Sequence, residues 1–134
     1  MKDLKVNIVG QNVFIVLEDV VVYSLGYKIT VKKGFDFDGA SIPQALWSLY
    51  GNPLSGKFRI AALVHDALYA SETLTRELAD AIFLDLMKQD EVRYVKRQTM
   101  YYAVRSAGWY VWKRHEKVEV KKYKEFINVE KIDN

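Results

Sequence analysis

The sequence predicts an α+β fold in which a small N-terminal antiparallel β-meander packs on a C-terminal bundle of three to four helices. β-branched and aromatic residues occur in short runs up to about residue 38, and the apolar period then changes to that of helices. A length of 134 residues suits one hydrophobic core. We therefore expect a single domain, with residues 1–38 mainly β, 41–117 mainly α, and 118–134 a charged tail.

Four apolar runs predict the strands of the meander. They span residues 5–9, 13–17, 20–23 and 27–31. Polar and glycine-containing steps separate them at the spacing of hairpin turns, which favours antiparallel pairing of successive strands. A turn then leads into a fifth short extended piece over residues 35–38.

Three longer segments show helical spacing of their apolar residues. The first spans 58–69, and the second spans 76–87 with Thr75 as its N-cap. The third runs from 94 to 117 and contains Gly108, which allows a neighbouring element to pack closely. The tail that follows can be a strand, a loop or a frayed end.

A shorter helix is predicted to begin after Ser41 and to run through residues 45–49. Ser41 is its expected N-cap, and Pro43 fits its first turn. No G-x-S-x-G elbow surrounds Ser41, so we interpret this serine as a cap and not as a nucleophile. The residues at 50–56 are typical of a loop.

The composition limits the kinds of site that this chain can form. It has no cysteine, so disulfides and thiolate metal sites are excluded, and oxygen or imidazole must hold any metal. No apolar run approaches the roughly 20 residues that span a bilayer, and the N-terminus lacks a secretory signal profile. We expect a cytoplasmic protein, or part of a particle assembled in a cytoplasm.

The last third of the chain is basic and aromatic, although the net charge is only +3. Its basic residues are Arg93, Lys96, Arg97, Arg105, Lys113, Arg114, Lys117, Lys121, Lys122, Lys124 and Lys131. Interleaved with them are Tyr94, Tyr101, Tyr102, Trp109, Tyr110, Trp112 and Tyr123. Such a segment suits an anionic membrane surface or a phosphate backbone. We favour an amphipathic helix with an aromatic core face, and nucleic-acid binding ranks last.

Four polar residues on otherwise apolar helix faces form the main candidate site. His65 and Tyr69 are four residues apart and project from one face of their helix, with Asp66 to one side. The short connection at 70–74 predicts a helical hairpin that brings Asp80 opposite His65. The carboxylate can then orient a histidine that takes a proton from water, while Tyr69 donates to that carboxylate.

The same residues also admit a structural interpretation. A histidine on an apolar helix is often a core residue, and an aspartate on the next helix is often its hydrogen-bond partner. Because four buried polar groups are costly unless they are paired, the whole set is a stronger candidate than any one member.

A second candidate cluster follows the predicted strands. Strand alternation places Asp36 and Asp38 on one side and Phe35 and Phe37 on the other. The two carboxylates can bind a metal ion or face a helix N-terminus, and Asp38 can also serve as a helix cap. We leave these alternatives open.

The motifs resemble an uncharacterised family of short phage and prophage proteins over roughly residues 35–112. The residues that carry the resemblance are Asp38-Gly39-Ala40-Ser41-Ile42-Pro43, Trp47, Ala61-Ala62, His65-Asp66-Ala67-Leu68-Tyr69, Arg76, Ala79-Asp80, Phe83, Met87, Met100-Tyr101, Val104-Arg105, Gly108 and Trp112. The resemblance implies a phage origin and a location in the host cytoplasm or the phage particle. It implies no activity, because the family is a domain of unknown function.

A looser similarity links the site to secreted and parvoviral phospholipases A2. It rests on the order Tyr50-Gly51-Asn52-Pro53, His65-Asp66, Tyr69, Ala79-Asp80 and Phe83. The similarity concerns the site and not the fold, because the predicted N-terminal sheet is foreign to those enzymes.

This similarity implies a role for each matching residue. His65 is the base that activates water, Asp80 supports it, Asp66 binds calcium, and Tyr69 joins the network. Asp36 and Asp38 are alternative calcium ligands. The loop supplies carbonyls and an oxyanion donor, so we place the substrate against Trp47, Tyr50, Gly51 and Asn52.

Two hypotheses about function follow. The first is a phage-encoded, metal-assisted His–Asp hydrolase, with calcium as the preferred metal, that acts on an ester or amide of lipid or the cell envelope. The second is a non-enzymatic phage part, either a virion or tail component or an inhibitor of a host process, with a phage or host protein as its partner.

Overall fold

The computed structural model describes residues 6–10, 13–39, 41–43, 46, 58–114 and 117–132. Six strands and four helices occupy these ranges, and they form the predicted α+β fold. The predicted short helix at 45–49 lies almost entirely outside the described residues.

The strands form two three-stranded antiparallel sheets. Their bounds are β1 Val6–Gly10, β2 Val13–Val16, β3 Val20–Ser24, β4 Tyr27–Val31, β5 Asp36–Phe37 and β6 Ile127–Lys131. The first sheet has the order β1-β2-β5 and the second β3-β4-β6. The strands are close to the predicted ones, but β2 and β3, successive in the predicted meander, lie in different sheets.

Backbone hydrogen bonds explain why the predicted meander divides after β2. The amide of Val16 donates to the carbonyl of Phe35 at 3.0 Å, and the amide of Gly34 donates to the carbonyl of Val16 at 2.8 Å. The end of β2 is therefore paired with the segment that leads into β5, and it is not available to β3. The place beside β4 is taken by β6, where the buried Ile127 pairs with Val31.

The helices are α1 Arg59–Ser71, α2 Arg76–Gln89, α3 Tyr94–Lys113 and α4 Lys117–Lys124. The hydroxyl of Thr75 accepts a hydrogen bond from the amide of Leu78 at 3.2 Å, which confirms the predicted N-cap of α2. The helix predicted over 94–117 ends at Lys113, so its predicted end was wrong. The charged tail contains α4 and β6, a helix and a strand.

Helix α1 lies at the centre of the molecule. It packs against α2, α3 and α4 and also contacts both sheets, and nearly all of its residues are buried. His65 and Asp66 are therefore placed inside the core and not on a helix surface, and each needs partners from neighbouring elements.

Candidate functional site

His65 and Asp80 meet between α1 and α2, as the sequence predicts. Nε2 of His65 lies 2.6 Å from Oδ1 of Asp80, and neither side chain has any exposed surface. The imidazole ring packs between Tyr69 and Phe83, with ring centroids 4.3 and 4.6 Å away. Its orientation is therefore fixed by packing as well as by the hydrogen bond.

The carboxylate of Asp80 is the most heavily bonded group of the site. The Tyr69 hydroxyl donates to Oδ1 at 2.7 Å, which confirms the predicted role of this tyrosine. Nη1 of Arg105 donates to Oδ2 at 2.8 Å, and Nη1 of Arg76 lies 3.5 Å from the same oxygen. The sequence interpretation missed both arginines. The contact of Arg76 could have been predicted, because Arg76 lies four residues before Asp80 on the same helix and such pairs face each other.

Gly108 lets α3 approach this network closely. A Cβ atom at this position would collide with the Tyr69 hydroxyl and would lie 3.1 Å from Nη1 of Arg76. The close packing predicted at Gly108 is confirmed, and it is packing against the site itself.

Ser41 links His65 to Asp66 through hydrogen bonds. Its Oγ lies 2.8 Å from Nδ1 of His65 and also donates to Oδ1 of Asp66. The backbone amides of Gly39 and Ser41 donate to the same carboxylate at 2.7 and 3.2 Å. The positive φ of Gly39, 76°, belongs to a region that glycine adopts readily.

These contacts correct the interpretation of Ser41. It was predicted to be a helix cap, but its hydroxyl lies between an imidazole and a carboxylate. Asp66, in turn, accepts hydrogen bonds from the amides of Gly39 and Ser41 and from the Ser41 hydroxyl, and the loop expected to supply carbonyls for a shared cation, residues 50–53, lies outside the described residues. The motif Asp-Gly-Ala-Ser-Ile-Pro contains the residues that perform this role, but the same motif is also typical of a turn followed by a helix cap.

Burial and hydrogen bonding set the charges of the site. Burial lowers the pKa of His65 more strongly than Asp80 raises it, which favours the neutral imidazole. Burial alone would raise the pKa of Asp80, but hydrogen bonds from His65, Tyr69 and Arg105 outweigh it and hold that pKa below its usual value. Burial raises the pKa of Asp66 to about 7, against hydrogen bonds from Ser41. Asp80 is therefore a carboxylate, and Asp66 titrates near neutrality.

One proton can occupy two places along the chain Asp66–Ser41–His65. In the first arrangement the protonated Asp66 donates to Oγ of Ser41, which donates to Nδ1 of a neutral His65. In the second, the proton has passed through Ser41, so that His65 is a cation and Asp66 a carboxylate. Both arrangements contain the same number of protons, and burial favours the first because it separates no charge.

A cavity of about 210 Å³ lies at the Asp66 end of this row of hydrogen-bonded groups. Ser41, Asp66 and Tyr69 line it, whereas His65 and Asp80 do not. A ligand in the cavity meets Ser41 and Asp66 directly and reaches the imidazole only through the Ser41 hydroxyl. His65 itself does not open to the cavity, because the Ser41 hydroxyl lies next to its Nδ1 atom.

Asp36 and Asp38 also line this cavity. Phe35 and Phe37 are buried, as the predicted alternation requires. The Tyr123 hydroxyl lies 3.4 Å from Oδ2 of Asp36, and burial together with the Asp36 charge raises the pKa of Tyr123 to about 12. Among the residues that the structure describes, no three metal-ligating side chains are arranged to hold an ion.

Four predicted substrate contacts, Trp47, Tyr50, Gly51 and Asn52, lie outside the described residues. In the part of the chain that is described, no helix has both the length and the apolar character needed to span a bilayer.

Residues 14–104 match the model of a family described as protein of unknown function, DUF1353. The chain belongs to the DUF1353 family. The predicted membership of an uncharacterised family is thereby confirmed. Ser41, His65, Asp66, Tyr69 and Asp80 all fall within the DUF1353 match.

The chain is also similar to the uncharacterised protein y4jT of Sinorhizobium fredii (strain NBRC 101917 / NGR234). The two are 39% identical over 85 residues, which make up 62% of this chain and 25% of y4jT. The DUF1353 protein therefore matches about a quarter of the length of this relative. No solved structure matches the chain significantly.

Proposed function

We propose that this DUF1353 protein is a phage- or prophage-encoded hydrolase that cleaves an ester or amide of lipid or the cell envelope. The observation that carries the proposal is the position of His65 between the Ser41 hydroxyl, at 2.8 Å, and the Asp80 carboxylate, at 2.6 Å. This is the order nucleophile, base and orienting carboxylate, with the nucleophile at a cavity wall. The resemblance of the motifs to phage proteins supports the proposed origin.

In the proposed reaction Ser41 is the nucleophile. Its Oγ attacks the carbonyl carbon while its proton passes to Nδ1 of His65, and the negative Asp80 stabilises the resulting imidazolium. The proton then goes to the leaving alcohol or amine as the scissile bond breaks, which leaves an ester on Ser41. Water, deprotonated by the same imidazole, cleaves this ester and restores the hydroxyl. A base in this position accelerates such steps by about 10²–10⁴-fold.

Asp66 has a separate task in this scheme. As a carboxylate it competes with His65 for the Ser41 proton, whereas in the protonated form it leaves that proton to Nδ1. Its pKa of about 7 places the exchange between these forms near neutral pH. The proposed hydrolase is therefore most active on the acidic side of this pKa, provided that His65 remains neutral.

Calcium remains part of the proposal as an optional ligand. Asp36, Asp38 and Asp66 line the cavity and carry the oxygen ligands that this ion prefers, but they are not arranged as a group of three around an ion, so substrate or solvent oxygens would have to complete the coordination. A bound calcium ion would polarise the substrate carbonyl, but no step above depends on it.

The cavity limits the part of the substrate that it can enclose. Its volume of about 210 Å³ is below the roughly 300–1,000 Å³ of pockets that hold drug-sized ligands. Phe35, Phe37 and Val111 supply apolar wall, and Ser41 and Asp66 supply polar groups. We propose that a short acyl group or a compact head group enters, while the remainder of the substrate stays outside.

The test is covalent labelling of Ser41. We expect a fluorophosphonate probe to add to the purified protein and intact mass spectrometry followed by peptide mapping to locate the adduct on Ser41. Ser71→Ala is the matched control, because Ser71 is a buried serine of α1 whose hydroxyl, in the part of the chain that the structure describes, accepts a hydrogen bond from Thr73. Ser41→Ala abolishes labelling and short-chain ester hydrolysis, and Ser71→Ala retains both.

Two results would contradict this mechanism in different ways. Hydrolysis that survives in Ser41→Ala but is lost in His65→Gln would return the reaction to a water activated by histidine. Absence of both labelling and hydrolysis, with and without added calcium, would overturn the hydrolase proposal.

One observation favours the non-enzymatic alternative. His65 and Asp80 have no exposed surface, and their hydrogen bonds tie Ser41 to α1, α1 to α2, and α3 to α2. A network of this kind also serves a virion component or an inhibitor of a host process, where it only holds the fold together. In that case the wild type hydrolyses no ester, Ser41→Ala lowers thermal stability, and a phage or host protein shifts the chain in gel filtration.

A further inference from the structure

The outward face of α3 exposes large apolar side chains. Only three residues of α3 are buried: Met100, Val104 and Gly108. The exposed ones, with their exposed fractions, are Tyr94 65%, Val95 70%, Tyr102 64%, Trp109 49% and Tyr110 55%. The aromatic core face expected for this helix is thus largely absent, and most of these rings face solvent. We call these five residues the α3 aromatic face.

The spacing of the α3 aromatic face makes it continuous. Val95, Tyr102 and Trp109 are seven residues apart and lie along one side of the helix, over about 21 Å at 1.5 Å per residue. Tyr94 and Tyr110 flank the two ends of this row. A contiguous apolar strip on a surface helix marks an interaction site more often than scattered single residues do.

The charge of α3 indicates the kind of partner. The helix contains Lys96, Arg97, Arg105 and Lys113 but no aspartate or glutamate. Cations also lie over the exposed rings: Nζ of Lys113 is 5.3 Å from the centre of Trp109, and the guanidinium carbon of Arg97 is 5.2 Å from that of Tyr94. The partner must therefore accept both apolar rings and positive charge.

The need to accept both apolar rings and positive charge distinguishes between three candidate partners. A second copy of the chain that packed through its own α3 would bring two basic helices together without an acidic residue of either helix between them. A nucleic acid offers phosphates but no apolar phase for Val95. The interface of an anionic bilayer offers both, because Trp and Tyr side chains settle at the head-group level while Lys and Arg meet lipid phosphates.

We propose that the α3 aromatic face binds the surface of an anionic lipid bilayer. The helix lies along the interface, with Tyr102 and Trp109 inserted and Lys113 directed to the phosphates. This proposal does not depend on the proposed hydrolase, because it concerns the side of α3 that faces away from α1 and α2.

The experiment is co-sedimentation of the full chain with vesicles of phosphatidylcholine alone or mixed with phosphatidylglycerol. We expect binding to the mixed vesicles that weakens as salt rises. Trp109→Ser weakens it by at least about tenfold, because the exposed half of an indole is lost from the interface. Tyr23→Ser is the control, since Tyr23 is 54% exposed on β3, outside the α3 aromatic face.

A second pair of variants tests the charge. Lys113→Gln reduces binding about fivefold, the effect of one cation near an anionic surface, whereas Lys88→Gln at the exposed end of α2 leaves it unchanged. Equal binding by both vesicle types, or equal losses in Tyr23→Ser and Trp109→Ser, would overturn the proposal. So would retention on DNA or RNA without vesicle binding, or a concentration-dependent dimer that Trp109→Ser dissociates.

Discussion

Replacement of Asp80 by asparagine tests whether this carboxylate organises the core between α1, α2 and α3. Asp80 is fully buried and accepts hydrogen bonds from His65, Tyr69 and Arg105. Asparagine keeps the shape of the side chain, but it removes the charge and turns an NH₂ group toward one of these donors. The guanidinium of Arg105 then loses its anion, and the Tyr69 hydroxyl or the imidazole loses its acceptor.

The expected loss of stability follows from these contacts. Removal of one partner from a buried ion pair costs about 3–5 kcal/mol. The Arg105 side chain is 27% exposed, so water recovers part of the loss, and we expect the free energy of unfolding to fall by about 3 kcal/mol. This is a large share of the roughly 5–15 kcal/mol that stabilises a typical domain.

Urea unfolding, followed by circular dichroism, measures this difference. Asp85→Asn is the matched control, because Asp85 lies on the same helix and accepts hydrogen bonds from Ser24 at 2.6 Å and Gln89 at 2.9 Å while remaining partly exposed. We expect about 1 kcal/mol for the control. If Asp80→Asn costs no more than Asp85→Asn, the buried network does not organise the core and this reasoning is wrong.

Two further predictions concern the same network. In the wild type, the raised pKa of Asp66 makes stability fall with rising pH from about 4 to 7, and the lowered pKa of His65 makes it rise up to pH 6.5, so the two slopes oppose each other. Asp66→Asn removes the falling slope, so its stability rises relative to the wild type between about pH 4 and 6.5, by at most about 1.4 kcal/mol per pH unit, in urea titrations; parallel curves would refute this. Gly108→Ala gains about 1 kcal/mol of helix propensity but displaces the Tyr69 hydroxyl from Asp80, so we expect the free energy of unfolding to fall by about 2 kcal/mol in net terms. The exposed control Ser106→Ala loses no stability. A stabilised Gly108→Ala would show that the contact with the Tyr69 hydroxyl is not tight.

Patterns within a few residues predicted the part of the site that lies on one helical hairpin. The four-residue spacing of His65 and Tyr69 and the short connection to α2 were enough to place Asp80 opposite the imidazole. Helical geometry fixes these relations locally, and a tight hairpin leaves little freedom in how its two helices face each other.

The remaining partners come from distant parts of the chain. Ser41 precedes His65 by 24 residues and Arg105 follows Asp80 by 25, so neither contact belongs to a local period. Ser41 was misinterpreted because its flanking residues are as typical of a turn and a helix cap as they are of a site residue. Arg105 was missed because a basic residue on an amphipathic helix is ordinarily solvated.

The sequence by itself determined the order of the first five strands and of helices α1 to α3, the cap at Thr75, the possibility of close packing at Gly108 and the meeting of His65 with Asp80. Tertiary structure alone decided that β2 and β3 join different sheets, that the tail closes one of them, and that Ser41 stands between the imidazole and the cavity. The physical reason is that backbone propensity and side-chain period act over a few residues. Pairing between distant segments depends instead on which edges and cavities remain open once the whole chain has packed.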